Sequence, residues 1–268
     1  MGRAAVKKQN WMPLLRWFFA IGLVAAVMAL VAAPLQVQAP EAPPPPVLSP
    51  NPYGEEDFAR ENGYLTCLSG ESIPGIDVSY HQEDIDWPAV KAAGIEFAFI
   101  RVGYRGISEG QIHEDVKARE NLAEAAAAGL KVGAYFFSQA ITPEEAVEEA
   151  ELTLQVIRDY SLDLPVVYDW EYVNESARTG AMESQTLQRC IDAFCERITR
   201  AGYEPMVYFN PDLCNTLLDL EQVAQYRFWL AMYSDRMNFP YQVEFWQYSD
   251  EGTVPGIKGK VDLNLWLP

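Results

Sequence analysis

Two carboxylates separated by a single residue, Asp169 and Glu171 in the run PVVYDWEYV (165–173), are the side chains of this sequence best spaced to do chemistry. On an extended strand, residues two apart project to the same face, while the one between them, Trp170, points away. Acids inside an apolar strand are costly to bury, and two side by side repel, which raises the proton affinity of one of them. An ionised carboxylate beside a protonated one near neutral pH is the pair that glycoside hydrolysis requires. Asp77 in GIDVSY (75–80) and Asp262 in VDLNLW (261–266) are further acids in similar apolar runs. On residue types alone a second reading stands, in which two acids on a strand mark an edge or a loop end facing water.

Aromatic residues crowd the same runs: Tyr104, Tyr135, Phe137, Tyr168, Tyr208, Trp229, Tyr233, Trp246 and Tyr248. Aromatic faces stack on sugar rings, although in most barrels such residues are core. Arg101 and Gln247 are polar interruptions of apolar runs and so are candidate substrate contacts, alongside Tyr135, Tyr208, Trp229, Tyr233 and Trp246. Other chemistries find no foothold. The sequence has no glycine-rich phosphate loop, no GxSxG elbow and no HExxH. Its four cysteines and two histidines are too few and scattered for a zinc framework, and His81 and His113 read as surface or turn residues. Cys190 and Cys195, five apart on an expected helix, cannot bridge each other there; a Cys195–Cys214 disulfide is compatible with an extracellular protein but is not fixed by the sequence.

The elements that must hold these residues alternate. Strand-like runs occur at 75–80, 97–104, 131–138, 165–173, 205–210, 228–234, 244–249 and 261–266, with helical segments at 88–93, 114–128, 143–160 and 185–201. Several helical segments close on glycine (Gly94, Gly129, Gly202), as helix C-termini do. Strand and helix in alternation imply a parallel α/β fold, and eight strands imply a barrel whose active site lies at the C-terminal ends of the strands. The last connections are too short for helical crossovers. The expectation is therefore an irregular, truncated (β/α) barrel of about eight strands with fewer helices, its last strands paired antiparallel or irregularly.

At 268 residues, 49% of them hydrophobic, the chain can bury a sizeable core. The first forty residues hold four cations (Arg3, Lys7, Lys8, Arg16) and no acid, so the remainder carries 16 cations against 38 acids, a balance of −22. Such a body repels phosphate backbones, which argues against nucleic-acid binding. A helix over Leu14–Ala33 would rise about 30 Å, the thickness of bilayer hydrocarbon, with Arg16 reaching the inner boundary. The positive flank sets the N-terminus in the cytoplasm and the body outside. A cleaved signal peptide is the competing reading: Ala32, Ala33 and Ala39 are small enough for cleavage, but Pro34 and Pro40 disfavour it. The organisation expected is an anchor or signal over 1–33, a stiff proline-rich spacer over 34–53, a short extension over 54–72 suggestive of a hairpin, and a catalytic barrel over 73–268.

The segments GIDVSYHQEDIDWPAVKAAGIEFAFIRVGYRG (75–106), GAYFFSQA (133–140), PVVYDWEYV, MVYFN, WLAMYS and FWQYSDEGTVPGIKGKVDLN (245–264) together resemble the family 25 glycoside hydrolases, the Chalaropsis-type lysozymes. The resemblance covers Pro74–Pro268, with the motifs in the family's order. It implies an irregular β/α barrel that hydrolyses the β-1,4 bond between N-acetylmuramic acid and N-acetylglucosamine in peptidoglycan. By resemblance Glu171 is the general acid, Asp169 stabilises the anomeric centre or orients the 2-acetamido group, and Asp77 and Asp262 line the cleft and tune the other two. It implies no metal and no organic cofactor, and peptidoglycan glycan strands as partner; the N-terminal segment implies a body outside the cytoplasm, either anchored to the membrane or secreted to the cell wall, and the chain is expected to be a monomer. Both a direct nucleophile and acetamido assistance suit these residues.

Two rivals remain in view. A non-catalytic wall-binding module would keep the aromatic cleft and lose a carboxylate, whereas all four are present. A family 18 chitinase carries a further acid four residues before its catalytic Glu, where this chain has Val167. The anchor reading makes its own prediction: fractionated native cells should hold the protein in the membrane with residues 1–33 intact. A soluble product whose N-terminal sequence begins after Ala33 or Ala39 would overturn the anchor and leave export standing.

Overall fold

β-branched and aromatic residues dominate eight runs of the chain, and these eight strands pair edge to edge until the last meets the first. The computed structural model describes residues 1–2 and 46–268; the apolar N-terminal run, most of the proline-rich stretch and the anchor expectation lie outside the described residues. Residues 46–268 form one compact unit. Its strands are β1 (Phe58–Glu61), β2 (Tyr64–Cys67), β3 (Ile73–Val78), β4 (Phe97–Arg105), β5 (Ile112–Glu114), β6 (Lys131–Ser138), β7 (Val166–Trp170), β8 (Pro205–Phe209), β9 (Arg227–Ala231), β10 (Phe245–Gly252) and β11 (Val261–Trp266). The closed barrel runs β3-β4-β6-β7-β8-β9-β10-β11 and back to β3, with β5 folded antiparallel on β4. Every barrel strand overlaps a run expected from the sequence.

Five helices cover part of the outside: α1 (Trp87–Ala92), α2 (Ala118–Ala127), α3 (Pro143–Ile157), α4 (Ser184–Arg200) and the short α5 (Pro211–Thr216), which was not expected. Their ends obey local chemistry. Thr142 and Asn210 accept from the backbone N–H groups of Glu145 (3.3 Å) and Leu213 (2.8 Å), each just ahead of a helix-opening proline. The glycines after α1, α2 and α4 all adopt positive φ (95°, 85° and 90°), which ends the helix without a Cβ clash. Among the described residues no helix is long and apolar enough to cross a membrane.

The final strands correct one expectation. β11 is antiparallel to both β10 and β3, but β10 runs parallel to β9 despite the absence of a helix between them. β9 ends at Ala231 rather than Ser234, so residues 232–244 are free to return along the barrel in irregular form. The wall left bare on that side is covered by the β1–β2 hairpin. Phe58 packs edge-on against Trp246 (5.1 Å between centroids), and the Tyr248 hydroxyl accepts from the Leu65 N–H at 3.3 Å. Residues 49–51 extend the seal, hydrogen-bonding to the backbone of Phe239, Pro240 and Gln242. The Cys195–Cys214 bond left open above is not formed: all four cysteines are free thiols. Cys190 and Cys195 both lie on the buried face of α4, used as small apolar residues.

Inside the barrel, large and small residues interlock. Phe97, Phe99, Val167, Met206, Trp229 and Phe245 fill the interior, with Phe99 stacked on Trp229 at 4.6 Å. Gly75 and Gly133 leave room for the two phenylalanines: a Cβ on Gly75 would lie 2.3 Å from the Phe97 ring. Gly75→Ala should therefore force repacking at a cost of about 1–3 kcal/mol and lower the melting temperature by about 2–12 °C. Thermal unfolding followed by circular dichroism checks this, and an unchanged Tm would refute the packing argument.

Candidate active site

Strand alternation decides which side chains reach the upper end of the barrel. On β7, Val166, Tyr168 and Trp170 face the outer core, while Val167 and Asp169 face the interior. Tyr168 packs on Phe194 of α4, and the Trp170 indole donates to the carbonyl of Ala140. Both anchor the strand from outside. Glu171, the next inward residue, stands just past the strand end, and its carboxyl shares a hydrogen bond with that of Asp169. On the opposite wall Asp77 of β3 pairs in register with Asp262 of β11, and their carboxyls also share a hydrogen bond. Asp77 Oδ2 accepts from Gln247 Nε2 at 2.8 Å and from Asn264 Nδ2 at 2.7 Å. The spacing of acids seen in the sequence thus becomes two facing carboxyl pairs at the C-terminal mouth of the barrel.

The surroundings hold protons on this cluster. Burial raises the Asp169 carboxyl well above the ordinary aspartate value, and the charges of Glu171 and Asp77 add to it. Glu171 is raised by burial and then by the charge of Asp77, with hydrogen bonds from Asp169 and Tyr208 pulling the other way. Asp262 is pushed up to about 9 by burial and by Asp77. Burial raises Asp77 too, against the two amide hydrogen bonds it accepts. No N–H or hydroxyl of the described residues reaches Asp169 Oδ1, although the atom is fully buried. A carboxyl oxygen so placed can accept from a bound substrate.

The remaining candidates divide by strand face. Tyr135 (β6) and Tyr208 (β8) are buried inward residues near the acids, and the Tyr208 hydroxyl lies between Gln247 Oε1 (3.1 Å) and the Glu171 carboxyl. With one proton, it serves one of them at a time. Tyr233 is 55% exposed at the rim, its hydroxyl 3.2 Å from Gln247 Oε1, so it alone among these aromatics offers an open face. Arg101 is committed to Asp115 (2.8 Å) and lies over the rings of Tyr80 and Tyr104. Two expectations need correction. Trp246 is adjacent to inward-facing Gln247 and therefore points outward, fully buried beneath the β1–β2 hairpin, with its indole donating to the carbonyl of Met232. Trp229 does face inward but is 1% exposed, and its Nε1 donates to Asn264 Oδ1 at 2.8 Å. It is the floor under the acids and offers no face for a sugar. Among the described residues no group of three or more His, Cys, Asp or Glu side chains is arranged to hold a metal ion.

This barrel with two carboxyl pairs at its mouth has counterparts. The sequence profile of the family described as "Glycosyl hydrolases family 25" matches residues 76–257. The chain belongs to that family. Lysozyme M1 of Streptomyces globisporus is 30% identical over 264 residues, covering 91% of this chain and 87% of its own. The bacterial lysozyme from Streptomyces coelicolor superposes with a TM-score of 0.61 at 28% identity, over 72% of this chain and 91% of that one. The modular autolysin LytC from Streptococcus pneumoniae, solved in complex with a synthetic peptidoglycan ligand, superposes with a TM-score of 0.66 at 25% identity. The match covers 78% of this chain and 52% of LytC, so the chain spans about half of that protein.

In this family 25 hydrolase two residues of the site escaped the sequence reading. Asn264 stands two after Asp262 on the same face of β11, so the period-two rule that singled out Asp169 and Glu171 would have found it. Asp115 left no such signal. It lies in a loop far from the acids in sequence, yet it is buried and receives Arg101 and the backbone N–H groups of Tyr80 and Lys117. The raised proton affinity of the cluster has a consequence for stability. Asp262 moves from its ordinary 3.8 to about 9 on folding, so between these values the unfolded chain binds fewer protons and stability falls as pH rises. Asp262→Asn cannot ionise in either state. It should melt above the wild type at pH 7, with the difference closing towards pH 4; a mutant that melts lower at pH 7 would contradict the linkage.

Proposed function

We propose that this family 25 hydrolase is a muramidase that cleaves the β-1,4 bond between N-acetylmuramic acid and N-acetylglucosamine in peptidoglycan. The observation that carries the reading is the Asp169–Glu171 pair: two carboxyls on one strand face, sharing a hydrogen bond, both with raised proton affinity, at the open end of the barrel. Glu171 lies nearer the mouth than Asp169, past the strand end, where a glycosidic oxygen can reach it. As the acid it gives its proton to that leaving oxygen while the C1–O bond breaks and positive charge grows at the anomeric carbon. The two carboxyls share a proton that burial and the Glu171 charge favour on Asp169; when it stands on Glu171, Asp169 is the carboxylate, supports the growing positive charge and, through Oδ1, orients the N–H of the 2-acetamido group. Asp77, held by Gln247 and Asn264, keeps a negative charge facing Glu171 and so holds the proton on it at higher pH. Tyr233 offers a sugar-stacking face at the rim.

The relatives named above support the substrate assignment. The cationic flank and apolar run of the N-terminus support placement outside the cytoplasm, with the hydrolase held there by an anchor or released to the wall. Purified peptidoglycan digested by the protein should solubilise and yield new reducing ends on muramic acid. Reducing ends on glucosamine would move the cut to the other bond, and binding without release would make the protein a wall-binding module.

Glu171→Gln keeps the shape of the side chain but carries no acidic proton, so turnover should fall by at least about 10²–10⁴ with the fold intact. Retention of more than about a tenth of wild-type activity would show that another residue is the acid. In Asp77→Asn the negative neighbour is gone, ionised Glu171 is less disfavoured, and the alkaline limb of the rate profile should move to lower pH. A profile that stays in place would remove Asp77 from the tuning of the acid.

A further inference from the structure

The β6–β7 ladder stops one residue short of the proposed acid. Ser138 pairs with Trp170, and Glu171 has no strand partner in register. Its place is taken by a side chain. Gln139, the residue after β6, is fully buried, and its Nε2 donates to the main-chain carbonyl of Glu171 at 2.9 Å and to the carbonyl of Ser138 at 2.9 Å. Gln139 Oε1 accepts from the hydroxyl of Thr179 at 2.8 Å. Thr179 is itself fully buried and lies in the loop that leads from β7 to α4. Next to it, Arg178 donates to the Gln139 carbonyl at 2.6 Å and forms a two-pronged pair with Glu145 of α3 (2.6 and 2.9 Å). The Arg178 N–H also donates to the carbonyl of Ile107, in the turn between β4 and β5.

These contacts admit one orientation of the Gln139 amide. Turned over, it would set its oxygen against two carbonyl oxygens and withdraw its donor from both. Neither Gln139 nor Thr179 contributes a hydrogen bond to any of the four carboxyl groups, so the chemistry proposed above does not use them directly.

We propose that Gln139 is a positioning residue for the reaction: its side-chain amide supplies the rung the strand lacks and fixes the main chain of Glu171 where its carboxyl meets Asp169, with Thr179 setting the amide's orientation. The proposal rests on Glu171 being the general acid. The carbonyl oxygen of Glu171 belongs to the residue whose side chain must meet a glycosidic oxygen, and displacement of a catalytic group by about 1 Å is enough to cost 10²-fold in rate.

The test uses the full chain on soluble glycan fragments of peptidoglycan. Gln139→Leu removes the amide at similar length, and Thr179→Val removes only the hydroxyl that orients it. Gln139→Leu should lose about 10–100-fold in kcat with KM within about two-fold, and its alkaline limb should shift as the Glu171 carboxyl leaves Asp169. Thr179→Val should change in the same direction by less, at a melting temperature close to wild type, and it decides the matter if Gln139→Leu does not fold. Combined with Glu171→Gln, neither substitution should cost further activity, because a residue that acts through the acid has nothing left to position. Wild-type kcat and pH profile in both variants, or losses that only follow the folded fraction, or full additivity with Glu171→Gln, would overturn the proposal while leaving the acid assignment intact. High activity in Glu171→Gln alone overturns the acid assignment, and this proposal with it.

Discussion

Four carboxyl groups brought to one end of a closed barrel repel one another and lose their water, and the upper half of this structure is arranged around that cost. Two responses are visible. Asp169 with Glu171, and Asp77 with Asp262, each share a hydrogen bond, so that a proton replaces a counter-ion. Asp77 is further held by two amide N–H donors, Gln247 and Asn264, whose other ends are engaged by Tyr208, Tyr233 and Trp229. Neutral donors stabilise a carboxylate without cancelling its charge. An arginine in their place would lower the proton affinity of the acids further; Arg101, tied to Asp115, opposes the raised affinity of Asp77 and Asp169 without overcoming the effect of burial. The site stays acidic because its neighbours are amides and phenols.

Much of this was legible in the chain itself, for a simple reason. A strand buried on both faces records its geometry in alternate residues, so Asp169 and Glu171, or Asp77 among apolar neighbours, disclose their orientation from spacing alone. The same rule places Trp246 opposite Gln247, so the two cannot share a cleft, and naming both as candidate substrate contacts runs against it. Trp229 failed differently. It faces the right way but is covered, because Phe99, Tyr135 and Tyr208 from three other strands pack on its ring, and contacts between strands are recorded in no single run. Asp115 and Gln139 lie just outside strands, where side-chain contacts are set by loops that meet only in three dimensions.

The fold departed from expectation where the repeat itself decays. Parallel pairing of β9 and β10 without a helix is permitted because residues 232–244 can return in irregular form, at the expense of an uncovered outer wall. The β1–β2 hairpin covers that wall with Phe58 and Leu65, so Trp246 and Tyr248 act as the outer core that a crossover helix would otherwise have shielded. The segment ahead of the barrel is in this respect part of its shell.

That arrangement also gives the molecule a polarity. Val47, Leu48 and Ser49 share a groove with Arg227, Phe228, Glu244 and Leu267, which stand at the ends of β9, β10 and β11 farthest from the carboxyls. Pro268 lies in the same groove. Both ends of the compact unit therefore emerge at one pole while the acids open at the other. A hydrolase fastened at either end would present its cleft away from the point of attachment, like a tool held by its handle. Were the attachment N-terminal, the reach of the working face would be set by the length of chain ahead of residue 46.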